Sequence, residues 1–211
     1  MQKVAIIDYN MGNLHSVQRA VAHCAPEHTA VVISADPDEI RHADRIVFPG
    51  QGAARDCMQE LQSRGLDEVV REVITSKPFL GICMGMQVLM EHSAENDGID
   101  CMGIFKGDVR YFDHDISDAE RLKIPQMGWN QVWHSAEHPL WHDIKDGSRF
   151  YFVHSYYVDP SDKALISGTT EYGIRYASAI AKDNVFAIQA HPEKSARDGL
   201  QLLTNFMGWE P

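Results

Sequence analysis

Gly81-Ile82-Cys83-Met84-Gly85 places a thiol between two glycines, where an apolar strand-like run gives way to a helical pattern. The spacing is that of a G-x-S-x-G nucleophile elbow with Cys in place of Ser. Such a turn is too sharp for bulky neighbours, so the glycines let strand and helix approach. The central side chain is thrust out at the carboxyl end of the sheet, where open α/β sheets hold their sites. The amino end of the next helix favours a thiolate at Cys83, and the backbone amide of Met84 is positioned to donate to an oxyanion. Cys24, Cys57 and Cys101 lack this setting and read as small packing residues.

A thiol nucleophile needs a base, and the base needs an orienting group. His191-Pro192-Glu193 supplies both at the end of a strand-like run. Residues two apart in an extended chain project to one side, and proline holds the preceding residue extended. Glu193 is therefore expected to buttress His191, which turns its other nitrogen to Cys83. Pro49-Gly50-Gln51-Gly52 ends another strand and opens a helix. Backbone amides of Gly50, Gln51 and Gly52 are expected to supply the second oxyanion donor. A phosphate cradle, the rival reading of this loop, requires a Lys-Ser/Thr pair that is missing. Gln87 lies one helical turn past Cys83 and offers a polar group to a substrate.

His154 sits in an aromatic-rich run and reads as a buried, hydrogen-bonded histidine. The remaining histidines, His114 and His138 among them, read as surface or packing residues. A metal site built from Cys83, His191 and Glu193 ranks behind the thiol triad, because neither HExxH nor paired-cysteine spacing supports it. No cofactor is implied.

These groups require a sheet whose strand ends converge. Strand-like runs at 4–7, 30–33, 45–48 and 78–82 alternate with helical patterns at 13–24, from 36, and at 53–63, 66–76 and 84–92. Asn13 is a cap for the first helix, and Asp36-Pro37 opens the second with a cap and then proline. Such alternation predicts an α/β fold with a mostly parallel central sheet flanked by helices. Runs at 109–112, 131–133, 149–158, 164–170, 176–181 and 185–189 predict added antiparallel strands at the sheet's edge. Ser195, with Asp198 three residues later, predicts a capped last helix to about 207. No repeat or linker interrupts the pattern, so residues 1–211 read as one domain.

The 211 residues carry 19 Lys plus Arg against 30 Asp plus Glu, a net charge of −11, with 44% apolar and 23% charged residues. That balance excludes wholesale disorder and argues against nucleic-acid binding through phosphate contacts. Four cysteines are too sparse for a disulfide scaffold, and the first apolar run is too short for a signal peptide. The most apolar stretch, 79–90, is too short to cross a bilayer. A cytoplasmic chain with reduced thiols is expected.

Gly81-Ile82-Cys83-Met84-Gly85-Met86-Gln87, Pro49-Gly50-Gln51-Gly52 and Ala190-His191-Pro192-Glu193 together resemble the class I glutamine amidotransferases. The resemblance implies a flavodoxin-like α/β fold and a Cys83–His191–Glu193 triad that hydrolyses glutamine. The segments 8–17, 125–130, 151–157 and 191–195 narrow it to members that feed ammonia to a cyclase, in the same order along nearly the whole chain. It implies that Gln87, Ser155 and Tyr156 hold L-glutamine. It also implies a heterodimer with a (β/α)₈-barrel cyclase subunit of histidine biosynthesis, with Asn13, Gln126, Trp129 and Asn130 near the contact. Trp129 fits core packing equally well.

Gln51 departs from the small apolar residue common at its position, and Asn10 replaces a common glycine whose backbone angles asparagine tolerates. Two alternatives are a glutaminase serving another synthase and a non-enzymatic α/β protein with a reactive elbow cysteine. Segments 8–17 and 125–130 speak against the first. The conjunction of Gln87, the glycine loop and His191/Glu193 speaks against the second.

Overall fold

A computed structural model describes residues 2–112 and 122–211; His114 lies outside the described residues. The first half runs β1 (Lys3–Ile7), α1 (Leu14–Cys24), β2 (Ala30–Ser34), α2 (Pro37–Arg41), β3 (Arg45–Gly50), α3 (Ala54–Ser63), α4 (Leu66–Val73), β4 (Phe79–Cys83) and α5 (Met84–Gln87). The second half is mostly strand: β5 (His92–Ser93), β6 (Ile99–Asp100), β7 (Gly107–Tyr111), β8 (Gln126–His134), β9 (Ser148–His154), β10 (Tyr156–Pro160), β11 (Ile166–Tyr172), β12 (Ile174–Lys182) and β13 (Val185–Ile188). Helix α6 (Ala196–Gly208) closes the chain.

The centre of the sheet is parallel, in the order β2-β1-β3-β4-β13. Strands β1, β3, β4 and β13 are buried on both faces, which is why they read as continuous apolar runs, while β2 at the edge is half-buried. The period of two still sorts their side chains. Val4 and Ile6 join the layer of α1 and α6, with Val17, Val21, Leu202 and Phe206. Ala5 and Ile7 join the opposite layer of α3 and α4, with Met58, Leu61, Val69 and Val70. Beyond β13 the pairing turns antiparallel through β12 and β10 to β7, while β11 carries β8 and β9 from the other edge of β12.

The caps hold in part. Asn13 accepts from Ser16 N and Asp36 from Asp38 N, so both side chains cap their helices. Ser195 occupies the cap position of α6, but its hydroxyl makes no cap bond. It serves the site instead, as described below.

Two expected elements differ. Helix α5 is a single turn, not a helix over 84–92, and Val88, Leu89 and Met90 are core residues in the turns that follow. The run 149–158 is two strands parted at Ser155, β9 paired with β8 and β10 with β7 and β12. Val88–Met90 is buried throughout and carries no period that separates helix from turn, while 149–158 keeps an alternating pattern on both sides of Ser155, so nothing in it marks the break.

Candidate active site

Register brings the site together. Gly50 of β3 pairs with Cys83 of β4, and Ile188 of β13 pairs with Ile82. The glycine loop, the elbow and the segment leading to His191 therefore share one end of the sheet.

Cys83 has φ 55° and ψ −112°, a left-handed conformation that costs a non-glycine residue about 1–3 kcal/mol. The turn is compressed around it. A Cβ on Gly85 would lie 1.8 Å from the Phe48 carbonyl oxygen, and one on Gly81 would lie 2.9 Å from Ala187 Cβ. Glycine is thus required at Gly85 by contact with β3. With α5 only one turn long, the expected helix dipole shrinks to its first N–H groups, Met84 among them.

His191 is 6% exposed, and its Nδ1 donates to Glu193 Oε1 at 2.8 Å. The carboxylate can only accept, so the proton on Nδ1 is fixed and Nε2 is left for Cys83. The two residues meet differently from the extended geometry expected. His191 is extended (φ −101°, ψ 95°), but Pro192–Lys194 forms a 3₁₀ turn that folds Glu193 back. Nε2 is buried and makes no hydrogen bond of strict geometry, yet the Cys83 sulfur lies close enough to act on its protonation. Such contacts are often loose until substrate tightens them. Burial opposes a charged imidazole; Cys83 and Glu193 together outweigh it and raise the His191 pKa to about 10.

The backbone of His191 is bracketed by β9. His191 N donates to Tyr151 O at 2.9 Å, Tyr151 N donates to Ser195 Oγ at 2.9 Å, and Ser195 Oγ donates to His191 O at 2.6 Å. Helix α6 packs so tightly on this turn that a Cβ on Gly199 would lie 2.1 Å from Pro192 O.

A cavity of about 600 Å³ opens on these groups. Cys83, Met84, Gln87, Gln51, Gly52, Ser155, Tyr156 and His191 line it. Gly50 lies behind, where a Cβ would meet Tyr9 Oη at 2.1 Å and Met84 Cβ at 2.9 Å; Tyr9 in turn donates to Pro49 O at 2.9 Å. Glu193 stands behind His191, its side chain 2% exposed. Gln87 spends its amino group on Tyr156 O (3.1 Å) and Gln189 Oε1 (2.9 Å), which leaves its buried Oε1 without a partner. An amide oxygen beside a cavity is an acceptor for a ligand N–H.

Cys24, Cys57 and Cys101 do not line the cavity. Burial pushes Cys57 and Cys101 up to about 12 and raises Cys24. Asn10 adopts φ 66°, the left-handed angle that asparagine tolerates. His154 is buried, with Nδ1 2.7 Å from Tyr156 O, as its aromatic setting implied.

Trp129 is 49% exposed, so the core-packing reading is overturned. Gln126 turns inward to accept from Tyr176 Oη at 2.8 Å, and Asn130 Nδ2 donates to Glu171 O at 2.8 Å. Among the described residues no group of three or more His, Cys, Asp or Glu is placed to hold a metal ion, and no helix is long and apolar enough to cross a membrane.

Sequence reasoning passed over Glu95, Gln189 and Lys194. Glu95 borders the cavity and caps α3, accepting from Ala54 N at 2.7 Å. It arrives from an irregular connection with no motif. Gln189 follows Ile188, and its place beside Cys83 follows from the β13–β4 register. Lys194 lines the cavity next to the triad segment.

Comparison with known proteins agrees with this geometry. The family model for glutamine amidotransferase class-I matches residues 5–208. Imidazole glycerol phosphate synthase subunit HisH of Hydrogenovibrio crunogenus is 56% identical, covering 98% of this chain and 96% of its own length. Subunit HisH 1 of Pseudomonas aeruginosa is 55% identical, covering 100% and 98%. Among solved structures, a putative GMP synthase subunit from Thermoplasma acidophilum superposes with TM-score 0.71 at 18% identity, covering 99% and 93%. PurLQS from Thermotoga maritima gives 0.69 at 15%, covering 98% of each chain. The two structures share the fold alone. With a family model matched over residues 5–208 and full-length relatives above half identity, the chain belongs to the class I glutamine amidotransferase family, within its imidazole glycerol phosphate synthase subunit HisH group.

Proposed function

We propose that residues 1–211 act as one glutaminase domain in the cytoplasm. It hydrolyses L-glutamine to glutamate and ammonia, and hands the ammonia to the cyclase subunit of imidazole glycerol phosphate synthase, a (β/α)₈ barrel. The observation that carries the reading is Cys83 on a strained elbow, with the Glu193-oriented His191 at the same cavity wall.

Cys83 Sγ adds to the side-chain amide carbon of glutamine as a thiolate, paired with the His191 imidazolium that Glu193 supports. The developing oxyanion is met by the Met84 amide and by the amides of the Gly50-Gln51-Gly52 loop. His191 Nε2 gives its proton to the leaving nitrogen, the C–N bond breaks, and ammonia departs from a thioester. His191 then takes a proton from water, whose oxygen displaces the sulfur to give glutamate. Gln87 Oε1, Ser155 and Tyr156 border the same cavity and hold the amino-acid end, and Glu95 offers a carboxylate to its ammonium group.

Free ammonia is protonated and lost in neutral water, so it is useful only when delivered to an acceptor held against the site. The cyclase uses it to form imidazole glycerol phosphate and aminoimidazole carboxamide ribotide. A glutamine analogue bearing an electrophile is expected to label Cys83 alone, read by mass spectrometry; preferential labelling of Cys24, Cys57 or Cys101 would overturn the assignment. Cys83→Ala is expected to abolish glutamine hydrolysis while the complex still turns over with supplied ammonia. Equal loss of both activities would refute this division of labour.

A further inference from the structure

The residue after β13 lies beside Cys83. Gln189 is 0% exposed, and its Nε2 lies 3.6 Å from Cys83 Sγ. Which end of a glutamine amide faces a given atom is settled by its other hydrogen bonds. Here the chain of bonds starts at the Tyr156 carbonyl, which can only accept. Gln87 approaches that carbonyl at 3.1 Å, so it must present its amino group there. The same nitrogen lies 2.9 Å from Gln189, which must answer with its oxygen. Gln189 is left with its amino group toward the sulfur. His154 Nδ1, 2.7 Å from the same carbonyl, anchors the start of the series.

We infer that Gln189 is a positioning residue for the nucleophile: its side-chain N–H donates to Cys83 Sγ, holds the sulfur at the cavity wall, and stabilises its negative charge. The inference rests on Cys83 being the nucleophile, as proposed above. A donor facing a neutral thiol contributes little, whereas one facing a thiolate makes a charge-assisted bond about twice as strong as a neutral one. Among the described residues, the titratable groups that interact electrostatically with Cys83 are His191, Tyr9 and Cys57. Gln189 does not titrate, so its donation persists across the pH range in which those groups change charge. It also gives Gln87 a second task. The amide that offers its oxygen to the cavity sets, through its nitrogen, the direction of the donor on the nucleophile.

Gln189→Met keeps length and burial but has no donor. In the complex with the cyclase, its glutaminase kcat is expected to fall about tenfold while KM for glutamine stays within about twofold. Alkylation of Cys83 by iodoacetamide, which needs no substrate pocket, is expected to slow by a similar factor. Gln189→Glu, of the same shape, keeps the acceptor for Gln87 but turns a carboxylate oxygen, which cannot donate when ionised and carries negative charge, toward Cys83 Sγ. It is expected to slow both rates further, and it provides the test if Gln189→Met fails to fold. Alkylation and kcat within twofold of the unsubstituted protein in a folded variant would overturn the inference, as would a loss confined to KM. Cys83→Ala separates the two readings. Residual turnover there refutes the triad itself, whereas an inactive Cys83→Ala beside a fully active Gln189→Met refutes only the role of Gln189.

Discussion

His191 and His154 are each 6% exposed, yet their protonation is driven in opposite directions. Burial takes His154 down to about 4, despite its bond to the Tyr156 carbonyl. At His191 burial again opposes charge, but Cys83 and Glu193 together raise it to about 10. The consequences for stability differ in sign. The His191 imidazolium adds stability that is complete below the unfolded value near 6.5 and is lost as pH rises toward 10. Neutral His154 adds stability that is complete above 6.5 and is lost as pH falls toward 4. In Glu193→Gln, His191 is expected to titrate at lower pH, followed by NMR of ring-labelled histidine. The glutaminase kcat of this variant is expected to fall about 10- to 100-fold, and an unshifted His191 titration would refute the orienting role of Glu193. The proposed triad is legible in the sequence because each member sits in a short motif whose backbone geometry is local. Gln189 and Glu95 are not, because one depends on which strand lies beside β4 and the other on where an irregular segment docks.

At the scale of elements, the site depends on close backbone approach. Gly85→Ala drives a Cβ into the Phe48 carbonyl, which cannot rotate aside as a side chain would. It is expected to destabilise the protein by about 3 kcal/mol or more by denaturant unfolding, with loss of glutaminase activity. Gly208→Ala is the control, since its Cβ would meet nothing within 4 Å; it is expected to be neutral or slightly stabilising. Comparable destabilisation by the two would refute the packing argument. Gly81 and Gly85 are legible as an elbow because the steric demand is local to five residues. The parallel core was legible too, since its alternation with helices survives burial on both faces. The 84–92 and 149–158 tracts were not. Val88-Leu89-Met90 is apolar throughout, and the chain leaves one strand partner for others at Ser155 without a proline or glycine to mark it. The Ser195 cap failed for another reason: the same hydroxyl has a stronger claim on it from Tyr151 N and His191 O, and these bonds hold the His191 backbone in place.

On the whole molecule, the cavity mouth and the most exposed apolar side chains lie side by side. Pro125 borders the cavity that contains Cys83, and the next residues, Gln126 to Trp129, line a neighbouring cavity of about 600 Å³. Met127 is 65% exposed and Trp129 49%, large apolar groups that folding of this chain leaves in water. Outward residues of this size beside a site that releases ammonia fit a surface covered by the acceptor subunit, which would keep the product from solvent. Trp129 also makes an edge contact with Tyr151, 6.2 Å between ring centres, and the backbone of Tyr151 carries His191. Trp129→Ala is expected to weaken association with the cyclase at least about 30-fold, the loss typical of a buried aromatic anchor. The thermal unfolding temperature of the isolated chain is expected to change little, because nearly half of the residue's surface is already exposed. Calorimetric titration of the cyclase into each variant measures the first effect and scanning calorimetry the second. Unchanged affinity in a folded Trp129→Ala would move the docking surface elsewhere. A large drop in unfolding temperature would return Trp129 to a packing role, and the exposed face beside the cavity mouth would then lose its principal anchor.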